Sequence, residues 1–342
     1  MYHPRFKGKH YQMGQKMGNI FLKAKAQFPI HLDDFQMKHG IESSRLLKQV
    51  FPEGAMEISG ITDVIGIDNT LFSAWMMCMG CCLDIDDNQS VEVRGCTAFC
   101  FTKDGKVFYG RSNDLPPFLK PLSKSVYYQA ENSNPLILTT SSFINGEEGV
   151  NNHGLVVAMT FVKPYIKEIK PGLNSVFLVR FLLERCDTVA GAIKLLKETP
   201  IASVCNILLV DRTVEMCVVE CMPGKLHVRM PEDNESGEKY VVTVNHFTSE
   251  EMKRHDAGRG NMFRSQERYQ TACKALSESN KKTGFELTSD ILKGKYGFMC
   301  QYGKELNFDT IWSTVVNLSD QKIYRTEGNP MHCSFVEDKR LW

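Results

Sequence analysis

No run in this chain approaches the 18 or so uninterrupted apolar residues of a membrane span. The basic start, Met1-Tyr2-His3-Pro4-Arg5, is not followed by the apolar stretch of a signal peptide. Both absences lead to the expectation of a cytoplasmic protein with no membrane partner. Charge of one sign is missing too: 41 lysines and arginines face 40 aspartates and glutamates, a formal net charge of +1. That balance sets up no field to gather nucleic acid. There is no internal repeat and no low-complexity tract, only a short charged loop at Glu232 to Glu238. Neither a second CxxC nor a histidine pair stands at zinc-finger spacing. The group Cys78, Cys81 and Cys82, near Asp84, Asp86 and Asp87, therefore reads as core or linker. No metal and no cofactor are expected.

What the chain does have is 342 residues, enough for a sizeable core, and 12 cysteines. In a reducing compartment these are mostly small buried hydrophobes. From Lys9 to Ile67 the apolar spacing is helical, with Pro29 and Pro52 as punctuation. From Cys96 onward it becomes strand-like. Residues 97 to 102 and 106 to 111 flank a Lys103-Asp104-Gly105 turn, a strong hairpin signal. Further strands are expected near 126–130, 136–140, 155–161, 204–210, 214–221, 224–229, 239–244, 309–318 and 322–326. Helices are expected at 174–186, 189–198, 261–278 and 287–293. Strands segregated from helices in this order predict an α+β layered sandwich.

The Gly95-Cys96 dipeptide is not rare by itself, since Gly80-Cys81 is a second one. Its surroundings distinguish it: the acidic stretch Asp84–Ser90 before it resembles an accessible linker, and the hairpin follows at once. An N-terminal cysteine is a compact catalytic unit, because its own α-amino group, with a reference pKa of about 7.7 to 8.0, serves as base for its thiol. That base exists only once the preceding peptide bond is broken. Gly95 leaves its carbonyl unobstructed and tolerates the distortion of a nitrogen-to-sulfur acyl shift. With a two-residue loop Cys96 pairs with Asn113 and Ala98 with Arg111, which turns Arg111 to the cysteine's face. A three-residue loop turns Ser112 and Asp114 there instead. Arg111 and Asp114 both reach Cys96 only if the strand bulges or ends near Ser112 or Asn113.

Cys96-Thr97-Ala98-Phe99, the Asp104-Gly105 turn and Gly110-Arg111-Ser112-Asn113-Asp114 resemble the start of the mature chain in the choloylglycine hydrolase and penicillin acyltransferase group of N-terminal-nucleophile hydrolases. Lys7-Gly8-Lys9-His10-Tyr11-Gln12-Met13-Gly14 with Gly18 is similar to the opening of the penicillin acyltransferase precursor, and Gly149–Leu155 to a strand-turn motif of the group. Val242–His246 and Ser265–Tyr269 resemble its two later active-site segments. The resemblance implies a four-layer αββα sandwich, with residues 1–95 as a helical pro-segment and 96–342 as the catalytic core. It implies autocatalytic cleavage between Gly95 and Cys96, with Cys96 as nucleophile and Arg111 and Asp114 holding the thiol and amine. Asn245 becomes an oxyanion donor and Arg268 completes the polar network. Two departures weigh against bile-salt hydrolysis and favour the acyltransferase branch. The arginine-bearing strand is one residue shorter after the turn, and Met159-Thr160-Phe161 lacks the asparagine that bile-salt hydrolases place there. The long segment before Cys96 points the same way.

The expected activity is hydrolysis or transfer of an acyl group from a linear amide, or from a thioester such as acyl-coenzyme A, through a Cys96 thioester. The partners are then a small acyl substrate and the chain's own 1–95 fragment; a homo-oligomer is allowed. Two rival classes are an uncleaved, catalytically silent binding or scaffold protein of the same fold, and a cysteine-rich metal-binding protein. His153 and His246 are read as structural, since an N-terminal nucleophile needs no histidine.

Overall fold

Asp104 and Gly105 both take positive φ, 51° and 73°, the backbone of a two-residue turn whose twist matches the strands it joins. The computed structural model describes residues 1–83, 95–258, 262–278, 281–303 and 306–342. In it this turn sets Lys103 opposite Lys106, Ala98 opposite Arg111 and Cys96 opposite Asn113. Of the two registers the sequence allows, the two-residue one forms. The stretch Asp84–Ser90, with the aspartates near the cysteine group, lies outside the described residues.

With strands numbered along the chain, one sheet runs β1 (Arg5–Gly8), β4 (Lys124–Ala130), β5 (Leu136–Thr140), β6 (Glu148–Asn151), β7 (Val156–Phe161), β8 (Cys205–Val210), β9 (Met216–Met222), β10 (Lys225–Arg229). The other runs β11 (Glu232–Asp233), β12 (Lys239–Thr243), β2 (Gly95–Lys103), β3 (Lys106–Leu115), β13 (Asp309–Asn317), β14 (Lys322–Thr326), β15 (Val336–Glu337). All pairings are antiparallel except β1 with β4. Strand alternation divides the hairpin's side chains between two cores. Ala98, Cys100, Val107 and Tyr109 meet Ile137, Val156, Ala158 and Leu208 of the first sheet. Phe99, Phe101 and Phe108 face α8 (Ser265–Ser277) and α9 (Gly284–Leu292).

The opposite face of the first sheet is covered by α5 (Ser175–Arg185) and α6 (Val189–Glu198), together with α1 (His10–Lys23), α2 (Asp34–Val50), α3 (Pro52–Ile65) and α4 (Asn69–Cys78). A short α7 (Glu250–Lys253) lies between β12 and α8. Pro52 opens α3, where its missing N–H costs nothing. Helices α1 and α3 touch at backbone distance: a Cβ on Gly14 or on Gly60 would fall 2.0 Å from a carbonyl oxygen of the other helix. Cys78, Cys81 and Cys82 pack as buried thiols with Ala202. Among the described residues no helix is long and apolar enough to cross a membrane.

Residues before Cys96 are tied to the rest by a buried ionic cluster. Arg180 of α5, fully buried, donates from Nη2 to Glu57 of α3 at 3.2 Å and from Nε to Glu184. Glu184 also bonds His10 of α1 at 2.9 Å, and the guanidinium lies 3.5 Å from the centre of the Tyr128 ring. Burial raises the Glu184 carboxyl, but Arg180 and His10 outweigh it and hold the group at about 2. Arg180→Met leaves Glu57 without its buried cation and Glu184 with His10 alone as an ionic partner. A loss of about 3–5 kcal/mol in unfolding free energy is expected by urea titration, and an unchanged midpoint would remove the cluster as a tether.

Candidate active site

The hairpin register decides which groups meet the sulfur. Cys96, Ala98, Arg111 and Asn113 share the face toward the first sheet, and Gly95, Thr97, Ser112 and Asp114 share the face toward α8. Arg111 Nη2 donates to Cys96 Sγ at 3.1 Å, and the Sγ hydrogen goes to Asn113 Oδ1 at 3.2 Å. Arg111 is fixed in turn: Nη1 donates to the Met159 carbonyl of β7 at 2.5 Å, and the guanidinium stands 5.6 Å from the Trp312 ring. Burial pushes the Cys96 thiol up to about 11, against the pull of Arg111. Arg111 and Asn113, the sulfur's two partners, take no proton near neutrality.

The backbone of Cys96 is held from the opposite side. Its N–H donates to Asn245 Oδ1 at 2.7 Å, and Arg268 Nη2 donates to the same oxygen at 2.9 Å. Arg268 Nη1 reaches the Cys96 carbonyl at 2.6 Å and Thr97 Oγ1 at 2.8 Å. Asn245 Nδ2 gives one hydrogen to the Phe161 carbonyl at 3.0 Å. Its backbone N–H donates to Ser265 Oγ at 3.0 Å, and that hydroxyl is hydrogen-bonded to His246 Nδ1 at 2.8 Å. Burial and the nearby Arg268 lower His246 to about 4, so at neutral pH its ring is uncharged. Phe263 and Arg264, at φ 48° and 55°, turn the chain into α8 through the left-handed region. The Phe263 carbonyl there accepts from Arg268 Nε at 3.1 Å.

Asp114 does not meet the thiol. Strand β3 stays in register with β2 as far as the Gly95–Asp114 pair, and the irregularity lies in β13, between Thr310 and Trp312. Regular alternation therefore turns Asp114 to the α8 face. It accepts there from Thr310 Oγ1 at 2.6 Å and Tyr302 OH at 3.0 Å and stands 3.9 Å from Arg268 Nη1. It flanks Gly95 instead: a Cβ on Gly95 would lie 3.1 Å from that of Asp114 and 3.4 Å from its Oδ2. Burial raises Asp114 to about 6, Arg268 opposing. A carboxyl with its pKa raised by folding contributes stability that is complete below its unfolded value near 3.8 and is lost as pH climbs through about 6. Asp114→Asn is expected to abolish that slope, and the difference in urea midpoint between pH 4 and pH 6.5 measures it.

Asn113 and Ser141 are what the sequence-derived site omits. Asn113 Nδ2 donates to Ser141 Oγ at 3.3 Å, and Trp312 Nε1 donates to the same oxygen at 2.9 Å. The signal for Asn113 was the register itself, which sets it directly opposite Cys96. Nothing local marks Ser141, which reaches the site through the tertiary fold. His153 is half-exposed, 3.6 Å from Asp187.

Cys96 and Asn113 form part of the wall of a cavity of about 640 Å³. Met159 and Phe161 of β7, Leu115, Phe143 and Val176 line it from the chain after Cys96; Trp75, Met79 and Leu83 line it from the chain before. A largely apolar chamber opening on a sulfur suits an acyl chain whose carbonyl stops at the thiol.

The family model for acyl-coenzyme A:6-aminopenicillanic acid acyl-transferase matches residues 100–332. None of the curated proteins matches the chain. Penicillin V acylase from Agrobacterium tumefaciens is a similar solved structure, 16% identical, covering 68% of this chain and 83% of its own at a TM-score of 0.43. A variant of conjugated bile acid hydrolase from Clostridium perfringens is 14% identical, covering 71% and 92% at 0.45. The N-acylethanolamine-hydrolyzing acid amidase ortholog of Caenorhabditis elegans is 16% identical, covering 65% and 93% at 0.46.

Proposed function

Since the chain belongs to the acyl-coenzyme A:6-aminopenicillanic acid acyl-transferase family, within the N-terminal-nucleophile hydrolases, we propose that it cuts itself before Cys96 and then uses that cysteine on linear amides. The observation that carries this reading is the missing base. The thiol's partners, Arg111 and Asn113, accept no proton, whereas the Cys96 nitrogen is already positioned by Asn245 Oδ1 at 2.7 Å. Freed as an amine at that place, the nitrogen takes the thiol's proton.

In the cut, Sγ attacks the Gly95 carbonyl, the carbon–nitrogen bond breaks and the nitrogen gains a proton. Water then hydrolyses the thioester, leaving residues 1–95 with a new carboxylate. In turnover the amine takes the thiol proton and Sγ attacks the substrate carbonyl. The second Nδ2 hydrogen of Asn245 meets the developing oxyanion, and the leaving amine departs with the proton. Water or an acceptor amine resolves the acyl-thioester. Arg111 favours the thiolate, and Arg268 holds Asn245 and the Cys96 carbonyl. Asp114 acts on the Gly95 side and on Arg268 rather than on the sulfur.

The two facing sheets with helices outside each support the αββα sandwich, and the Arg180 cluster supports a 1–95 fragment that stays bound as a small subunit. The apolar cavity favours an apolar acyl group carried on an amide or on a thioester such as acyl-coenzyme A, with no cofactor. Intact-mass measurement with a panel of acyl amides and acyl-thioesters, with and without an amine acceptor, tests all of this. Fragments 1–95 and 96–342 with acyl release are expected; a persistent full-length species without amidase activity would leave a silent binding protein.

A further inference from the structure

Asn113 is 1% exposed, lines the cavity and touches the sulfur, yet has no part in the reaction as described above. Arg111 and Asn113 stand two positions apart on one strand face and bond the same sulfur with opposite polarity. Arg111 donates to it, and a donor gains when the sulfur becomes an anion. Asn113 offers a carbonyl oxygen, which can bond an S–H but meets a thiolate lone pair against lone pair. An acceptor on the neutral form disfavours the charged one.

The amide is held in this orientation at both ends. Asn113 Oδ1 accepts a second, longer bond from Arg111 Nη2 at 3.4 Å, and Nδ2 donates to Ser141 Oγ. Reversing the amide would set Nδ2 against the Arg111 Nη2 donor. Ser141 is itself tied to Trp312 Nε1 and to Ser123 Oγ at 3.1 Å, which makes it a positioning residue for the amide.

We propose that Asn113 is a catalytic residue whose side-chain carbonyl accepts the Cys96 thiol hydrogen and opposes the ionisation that Arg111 promotes, so that the nucleophile waits for its base. This rests on Cys96 being the nucleophile proposed above. After the cut the pair sets a threshold: the sulfur stays a thiol, shielded from stray electrophiles, until the amine beside it draws the proton away, whereas in the cut itself the thiol proton goes to the departing nitrogen. The other charges bearing on the sulfur are Asp114 and Glu147, which oppose ionisation, and Arg268, which favours it. None is altered by a change at position 113.

The experiment is the pH dependence of iodoacetamide alkylation at Cys96, followed by peptide mass. Wild type, Asn113→Ala, Asn113→Asp and Arg111→Met are each compared in the same cut or uncut form. Asn113→Ala is expected to move the midpoint down by about one pH unit, giving about tenfold more thiolate at a fixed pH below it. Arg111→Met and the isosteric Asn113→Asp are expected to move it up. Because burial also raises this thiol, Asn113→Leu, of similar size but without an acceptor, is included: it is expected to lower the midpoint as Asn113→Ala does, and a fall in the alanine variant alone would trace to admitted water and overturn the proposal. A midpoint in Asn113→Ala that stays put or rises as in Arg111→Met overturns the proposal, because a merely structural residue would not act with the opposite sign. If Asn113→Ala does not fold, a midpoint in Asn113→Asp that fails to rise overturns it equally. Intact mass on the same samples separates the two ideas: an uncut, inactive wild type removes the proposed function and this inference with it, whereas a cut, active wild type without the opposed shifts overturns this inference alone.

Discussion

Cys96→Ala is expected to run as one species of 342 residues with no acyl release, where the proposed cut would divide the wild type into 1–95 and 96–342. The loss is complete because both reactions begin with the same bond to the same sulfur. The substitution removes one buried atom and spares its surroundings. Arg111 keeps the Met159 carbonyl, Asn113 keeps Ser141, and the backbone N–H and carbonyl that Asn245 and Arg268 hold are unchanged. A failure to cut is therefore chemical and not a failure to fold, which an unaltered urea midpoint would establish. Cys96→Ser keeps a weaker nucleophile and should cut slowly. Normal cutting in the alanine variant would move the nucleophile elsewhere and end the proposed function.

The second large effect belongs to Asn245, whose amide has two jobs that two substitutions separate. Its oxygen gathers the Cys96 N–H and Arg268 Nη2, and its nitrogen supplies the proposed oxyanion contact. Asn245→Asp keeps an acceptor for both donors and loses the nitrogen; Asn245→Ala loses both. In each, kcat should fall by about 10² to 10³-fold with KM little changed, as when an oxyanion donor is removed elsewhere. Stability should fall by about 1–3 kcal/mol in the alanine variant, which leaves two buried donors unsatisfied, and less in the aspartate variant, which keeps those two bonds and loses the one to the Phe161 carbonyl. Steady-state kinetics beside urea unfolding reads both. A KM effect without a kcat effect would make Asn245 a binding residue and leave the oxyanion without its proposed donor.

Legibility in the sequence followed the range of the interactions. The Asp104-Gly105 turn is local chemistry, and it carried the register of β2 and β3 and with it the side on which Arg111 stands. Helix α4 was not expected, and strand β6 was expected only through the strand-turn resemblance at Gly149–Leu155, for opposite reasons. β6 is four residues long, too short for a period to show. In α4 every residue from Phe72 to Cys78 is buried, so no polar stripe marks its helical repeat. Within the site, motif resemblance brought Asn245 and Arg268 to the Cys96 backbone although each is remote in sequence. The same resemblance gave Arg111 and Asp114 jointly to the thiol and amine, and strand alternation sends Asp114 to the face away from the thiol. Ser141 acquires its place only when β5 brings it beside Trp312 and Asn113, and no pattern along the chain encodes that meeting.

The cavity wall has a consequence for how such a protein changes its preferences. Trp75, Met79 and Leu83 shape the chamber, yet they belong to the stretch before Gly95, which contributes no reacting atom to the proposed reactions. Under the proposed function acyl selectivity is thereby partly divorced from chemistry: drift in the residues before Gly95 can remould the chamber while the sulfur, its amine and their partners stay under separate constraint. A lineage built this way is free to explore new acyl groups without putting its reaction at risk.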